Sequence, residues 1–164
     1  MKQVLLNMAT KLRCKLNPYQ PPTSEVWEKV KMYNMFEFSK LLHKYCRTSN
    51  RYHILMKKRG NMNFFFDRLK EGKYSDDYAR AWLTWGVLNG YDACEYTLTS
   101  LKYPLTNSHV ITILKRGGDD YVLCNDYRLH WGFTSVKHIL VYMRMYDRYT
   151  KEGFIFSKGI EVTI

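Results

Sequence analysis

Apolar residues are spaced in two different ways along this 164-residue chain, and the change between them limits the folds open to it. Over residues 25–46 and 75–89 they recur every three or four positions, as they do on one face of a helix. From there on they follow the period of two that is typical of strands, over 91–101, 108–115 and 120–127. Helices followed by an antiparallel sheet predict an α+β fold, with N-terminal helices and a central helix packed on the sheet.

Local signals mark the other predicted elements. Residues 25–46 are predicted as one long amphipathic helix, and a short helix is predicted over 63–71. Thr134 or Ser135 is expected to cap one more helix, which runs to about residue 146. A final strand or hairpin is predicted over 154–164.

Three prolines between residues 18 and 22 interrupt the chain, because proline cannot continue a helix and favours extended backbone. Residues 1–22 are therefore predicted to form an N-terminal arm, as a strand or a short helix packed on the body. Residues 23–164 are predicted to form a single domain, since their number suits one core and no internal repeat is visible.

The net charge favours an acidic partner. The chain has 26 Lys and Arg against 15 Asp and Glu, which gives +11. Nucleic acid is the first candidate and an anionic membrane surface the second. We expect nucleic-acid binding through a basic surface at 40–59, and a merely solvated loop is the alternative. The residues expected to contact phosphates there are Lys44, Arg47, Arg51, Lys57, Lys58 and Arg59.

Several classes of protein are excluded. No apolar run approaches the ~20 residues of a membrane span, so the chain is not a transmembrane protein, and we expect no membrane partner. Its four cysteines form no CxxC pair, which excludes a zinc knuckle or a thioredoxin motif and predicts reduced thiols in a cytoplasmic protein. No metal or nucleotide motif stands out, and no cofactor is expected.

The chemistry-bearing residues cluster between 75 and 126. A two-residue turn at Gly117 and Gly118, or a four-residue loop, would join the strands 108–115 and 120–127 in one and the same register. That register places Leu114 opposite Tyr121 and Ile111 opposite Cys124. It also predicts a cross-strand pair of His109 with Asp126, in which the carboxylate orients the ring.

Ser75 completes a possible triad. It lies at the predicted start of the central helix, where backbone N–H groups favour negative charge and help hold an oxyanion. Ser75 as nucleophile, His109 as base and Asp126 as orienting acid have the roles of a catalytic triad. The alternatives are a plain helix cap for Ser75, a half-buried polar residue for His109 and a turn residue for Asp126. His130 and Trp131 follow and could border a cleft, with no chemistry assigned.

Four short blocks in this region resemble the transglutaminase-like cysteine proteinase superfamily, and its bacterial and phage-encoded branch most of all. The resemblance covers about residues 73–127, near a third of the chain. In order the blocks are Ser75-Asp76-Asp77-Tyr78-Ala79, Leu88-Asn89-Gly90-Tyr91-Asp92-Ala93, Ser108-His109-Val110 and Tyr121-Val122-Leu123-Cys124-Asn125.

The resemblance implies a papain-like core with Ser75, His109 and Asp126 around one cleft. Two positions depart from the family, because Ser75 stands where it has the nucleophilic Cys and Cys124 where it most often has Asp. These departures favour a degenerate, phage-encoded protein in the host cytoplasm that binds a host or viral macromolecule. One alternative is an active hydrolase or acyltransferase that uses the three residues as a triad. The other is a basic protein that binds nucleic acid.

Overall fold

The computed structural model describes residues 1–23, 25–45, 75–102, 108–145 and 153–163, and the predicted helix at 63–71 lies outside them. The N-terminal part of the described chain contains the helices α1 (Lys2–Leu16), α2 (Glu25–Val30), α3 (Met35–Tyr45) and α4 (Ser75–Leu88). The strands β1 (Asp92–Ser100), β2 (Ser108–Lys115), β3 (Tyr121–Asn125) and β4 (Arg128–Phe133) follow, then α5 (Val136–Arg144) and β5 (Phe154–Val162).

The strands form one antiparallel sheet in the order β4-β3-β2-β1-β5. The helix α4 packs on one face of this sheet, where the Thr112 hydroxyl donates to the Ala79 carbonyl over 2.6 Å. The helix α5 packs on the opposite face, where its Ile139 and Met143 are buried with strand residues. The predicted α+β class and the central helix on an antiparallel sheet are therefore confirmed.

Each face of the sheet has its own core. On the α4 side, aromatic rings from three helices meet, and Phe38 contacts the edge of Trp82 with 4.9 Å between ring centroids. On the α5 side, the core is mainly aliphatic: Leu98, Ile111, Ile113, Leu123, Ile139, Met143, Phe133 and Phe154. Because β2 and β3 lie between these two cores, the middle residues of both strands are buried whichever way they point.

The predicted single helix over 25–46 is wrong in one respect, because the structure divides it. The helix α2 ends at Val30, and α3 begins at Met35. Between them, Asn34 accepts from the Glu37 backbone N–H over 2.9 Å, and the Glu37 carboxylate accepts from the Asn34 N–H over 2.8 Å. This reciprocal capping box starts a new helix, so the apolar spacing continues while the backbone does not.

Predictions elsewhere were more accurate. The boundaries of β2 are those predicted, and Ser135 caps α5 by accepting from the His138 N–H over 3.0 Å. The last segment is a single strand, β5, and not a hairpin. No strand was predicted at 128–133, where β4 forms the edge of the sheet. Within the described ranges, no helix is long and apolar enough to cross a bilayer.

The N-terminal arm contains a helix, one of the two forms predicted for it. The Gln3 side chain donates to the Phe156 carbonyl in β5 over 2.8 Å. Further along α1, the Arg13 guanidinium donates to the Thr97 hydroxyl in β1 over 3.1 Å. Polar side chains therefore hold α1 against the strands β1 and β5.

A buried ion pair joins α4 to the sheet. The Arg80 guanidinium lies 2.6 Å from the Glu95 carboxylate, and both side chains are almost fully buried. Arg80 also donates to the carbonyls of Asn17 and Pro18, at 3.2 and 3.4 Å. The second carboxylate oxygen of Glu95 lies 3.8 Å from Arg13 of α1. One cluster of charges thus connects α1, the segment that follows it, α4 and β1.

Breaking this pair from one side should be costly. We expect Arg80→Met to lower the free energy of unfolding by about 3–5 kcal/mol, because it leaves the Glu95 carboxylate buried without its nearest cation. The double variant Arg80→Met/Glu95→Leu should lose less than the single variant, since the only charge it leaves without its partner in this cluster is that of Arg13, whose side chain is 31% exposed. Urea unfolding followed by circular dichroism measures both values. A double variant that is no more stable than Arg80→Met would contradict this account.

Candidate functional site

The structure brings Ser75 to the beginning of β2. Ser75 is the first residue of α4, and its Oγ accepts from the backbone N–H of Val110 over 3.2 Å. The helix then runs alongside β2, and a Cβ added to Gly86 would lie 2.5 Å from the Leu114 side chain. Close packing of α4 on β2 therefore keeps Ser75 next to Val110, the residue that follows His109.

The predicted register of the hairpin is wrong by one residue. The structure pairs Thr112 with Cys124 and Lys115 with Tyr121. The Arg116 N–H donates to the Asp120 carbonyl over 3.3 Å, so the loop comprises the three residues 117–119, with Gly117 at φ +67°. A three-residue loop shifts the register by one position from that of a two- or four-residue loop. A shift of one residue exchanges the two faces of a strand.

This shift changes the partner of His109. In the observed register Asn125, and not Asp126, lies on the same face of the sheet as His109. His109 Nε2 lies 2.6 Å from Asn125 Oδ1. The imidazole is only 7% exposed. The backbone of Asp126 turns into the left-handed region, at φ 52°, where the chain leaves β3, and its carbonyl accepts from Trp82 Nε1 over 2.7 Å. The register that predicted the pair of His109 with Asp126 is thus not the register of the protein.

An amide beside His109 differs chemically from a carboxylate. Since Oδ1 of Asn125 only accepts hydrogen bonds, it holds the His109 ring with a proton on Nε2. A neutral amide supplies no negative charge to stabilise the imidazolium that forms when a histidine takes a proton from a hydroxyl. Papain-like triads use such an amide beside a thiolate nucleophile, whereas serine triads place a carboxylate there. The Asn125 amide therefore orients His109 and adds no negative charge of its own.

The described cysteines are poor nucleophiles. Burial raises the pKa of the Cys94 thiol to about 12 and that of Cys124 well above its usual value. Burial also raises the pKa of Cys14, against the opposing effect of Arg13. All three are free thiols, and Cys124 is completely buried among apolar residues. Cys46 lies outside the described residues.

A groove of about 400 Å³ lies between β4 and α5. The prediction that His130 and Trp131 border a cleft is confirmed. The Tyr142 hydroxyl lies 3.3 Å from His130 Nδ1, while the Trp131 ring is 57% exposed and meets the Phe36 ring at 5.2 Å. The other lining residues are Leu129, Gly132, Phe133 and His138.

One basic and aromatic cluster links α3 to the turn between β3 and β4. The Ser39 hydroxyl donates to the Tyr127 carbonyl over 2.5 Å, and the His43 ring stacks on the Tyr127 ring at 4.3 Å. The Arg128 guanidinium lies 5.5 Å from the centroid of the same ring. Lys44, from the predicted basic surface, is the neighbour of His43 in the last turn of α3. The other predicted phosphate contacts lie outside the described residues: Arg47, Arg51, Lys57, Lys58 and Arg59.

Sequence analysis did not find this basic and aromatic cluster, which we call the Tyr127 cluster and define by His43, Tyr127 and Arg128. Its members are far apart in the sequence, and only the packing of α3 on the turn brings them together. The one available signal is the adjacent pair of Tyr127 and Arg128, at the end of the predicted strand 120–127. In the described part of the chain, no group of three metal-ligating side chains gathers.

Comparisons with known proteins give no relative. No family model, no curated protein and no solved structure matches this chain. The resemblance to the transglutaminase-like superfamily therefore stays a prediction.

The His130 imidazole should make stability depend on pH. Burial first, and then the positive charge of Arg128, lower its pKa below the usual 6.5. The unfolded chain therefore takes up this proton at a higher pH than the folded chain, so protonation favours unfolding. We expect the free energy of unfolding to fall from pH 7.5 to pH 5.5 by less in His130→Gln than in the unsubstituted protein.

Urea titrations at the two pH values measure this difference. The other four histidines are common to both proteins, so their effect cancels in the comparison. An equal fall in both proteins would show that His130 does not titrate differently on folding.

Proposed function

We propose that this chain is a degenerate transglutaminase-like protein that binds a macromolecule and does not hydrolyse one. The observation that carries the proposal is the bond of His109 to the neutral Asn125. A hydroxyl is a weaker nucleophile than a thiolate and depends on its general base. Here a hydroxyl, that of Ser75, stands at the nucleophile position, and His109 contacts an amide where serine triads have a carboxylate.

Ser75 also has a structural role that explains its identity. The backbone pairing of β2 with β3 runs from Lys115 opposite Tyr121 to Thr112 opposite Cys124, so Val110 lies outside it. The Ser75 hydroxyl accepts from the Val110 N–H, in a part of the strand where a backbone donor needs an acceptor. A serine at this position therefore joins the start of α4 to β2 without any catalytic task.

The macromolecule that fits the chain best is single-stranded nucleic acid. The net charge of +11 attracts phosphates. In the Tyr127 cluster the His43 ring stacks on the Tyr127 ring, and the Arg128 guanidinium lies 5.5 Å from the centroid of the same ring. Aromatic rings next to cations are the usual platform for unpaired bases. Lys44, next to His43 in the last turn of α3, adds a further positive charge. A host or viral protein with an acidic surface is the other partner that the charge allows.

Labelling with a fluorophosphonate probe tests the absence of catalysis. We expect no adduct at Ser75 in the unsubstituted protein, because the Asn125 amide brings no negative charge to His109. The variant Asn125→Asp should label faster, since it places a carboxylate against the histidine. Intact mass and peptide mapping give the readout.

Two control variants decide how an adduct would be interpreted. Labelling of Ser75 that disappears in both Ser75→Ala and His109→Ala would overturn the proposal. It would establish an active hydrolase or acyltransferase in its place.

Nucleic-acid binding is tested by fluorescence anisotropy with a labelled single-stranded oligonucleotide. We expect Tyr127→Ala to weaken binding by about tenfold, the size of one base–aromatic contact, because it removes the ring against which His43 and Arg128 are held. The double variant Lys44→Glu/Arg128→Glu should weaken binding further and reduce its salt dependence.

A matched control is Lys2→Glu/Lys11→Glu, which makes the same charge change on α1. Loss of affinity in equal measure from both double variants would point to a general charge effect and not to the Tyr127 cluster. Charge reversal of Lys57, Lys58 and Arg59 tests the predicted loop in the same assay, and unchanged binding would remove that loop from the site.

A further inference from the structure

The helix α1 has its polarity reversed relative to the protein body. The side that meets the strands uses polar groups: Gln3 bonds to β5, Arg13 bonds to β1, and Thr10 is buried. The outward side is apolar. Its six large side chains are between 57% and 98% exposed: Met1, Val4, Leu5, Met8, Leu12 and Leu16.

These six side chains form one continuous stripe. With 3.6 residues per turn, they fall within an arc of about 120° of the helix surface. The arc is on the side opposite Thr10, so the outward side is apolar, while the packed side combines polar groups with the half-buried Leu6 and Cys14. An exposed apolar patch made of six large side chains marks a surface that contacts a partner.

The charges of α1 indicate what that partner is. The helix carries Lys2, Lys11, Arg13 and Lys15 and no acidic residue. On the helical projection, Lys11 lies just outside one edge of the apolar stripe and Lys2 outside the other, while Lys15 lies just inside the first edge. An apolar stripe between lysines is the pattern of a helix that lies in the surface of an anionic bilayer.

We propose that α1 is a lipid-binding element that lays its apolar stripe on an anionic membrane surface. The leucines and methionines enter the boundary between headgroups and acyl chains, and the lysines contact the acidic headgroups. The body of the protein is held on the other side of the helix by Gln3 and Arg13. The lack of a spanning helix does not conflict with this contact, because a helix of 15 residues lies on a bilayer and does not cross it.

A second copy of the chain fits this stripe less well. Two copies of α1 would bring their lysines together with no acidic residue to offset them. The helix is also only about 22 Å long, so paired stripes would bury less surface than a stable dimer needs. An anionic bilayer meets the same stripe with charges of the opposite sign.

Vesicle sedimentation with the full chain tests the proposal. The probes are vesicles of phosphatidylcholine with about 30% phosphatidylserine and vesicles of phosphatidylcholine alone, at about 0.15 M salt. The variant Leu5→Gln/Leu12→Gln keeps the charge and should lower the partition coefficient for acidic vesicles by about tenfold or more. The matched control Met32→Gln/Met145→Gln removes two exposed methionines, 82% and 76% accessible, that lie outside α1. Circular dichroism checks that all variants fold.

Binding to acidic vesicles that is weakened in the leucine variant and kept in the methionine variant supports the proposal. Equal binding by the leucine variant overturns it and assigns the lipid contact to the general basic charge. No binding by the unsubstituted protein overturns it as well. If light scattering then finds a dimer that the leucine variant lacks, the stripe is an interface between two copies. None of these outcomes depends on whether Ser75 is catalytically active.

Discussion

The ion pair of Arg80 with Glu95 determines how the rest of the structure is arranged. Both charges are buried, so neither has water to replace its partner. Because Arg80 must face β1, the rotation of α4 about its axis is fixed, and Ser75 and Ala79 are turned toward β2. The same guanidinium binds the carbonyls of Asn17 and Pro18, so the chain that follows α1 is held in place as well. The position of the candidate site follows from an interaction outside it.

Much of the fold could be predicted because its signals are local. The start of α4, the limits of β2 and the cap at Ser135 depend on residues within a turn or a strand. The division between α2 and α3 was also encoded locally, in Asn34 and Glu37, but the continuing apolar spacing hid it. The strand β4 was missed because its residues alternate poorly and Gly132 adopts a positive φ within it.

The partner of His109 could not be predicted for a different reason. Strands with one wet face reveal their register through alternation, but β2 and β3 are buried on both faces. Either register buries apolar residues equally well, so the pattern does not distinguish Asn125 from Asp126. The loop also allowed both, since Gly117 and Gly118 each tolerate a positive φ and only Gly117 adopts one. That Ser75 lies near β2 could be predicted from the sequence. Which residue contacts the His109 imidazole could not, because it depends on how the strands pack.

The bond of Gln3 to the Phe156 carbonyl has a consequence for the behaviour of the chain in a crowded solution. The strand β5 is an edge of the sheet, and an open edge invites another molecule to add a strand. The Gln3 amide occupies one of the carbonyl acceptors that an added strand would need, and α1 packs against β5. Protection against sheet-to-sheet aggregation is thus provided by the first turn of a helix that belongs to the opposite end of the sequence. Truncating that turn would therefore favour the growth of fibrils from otherwise folded molecules.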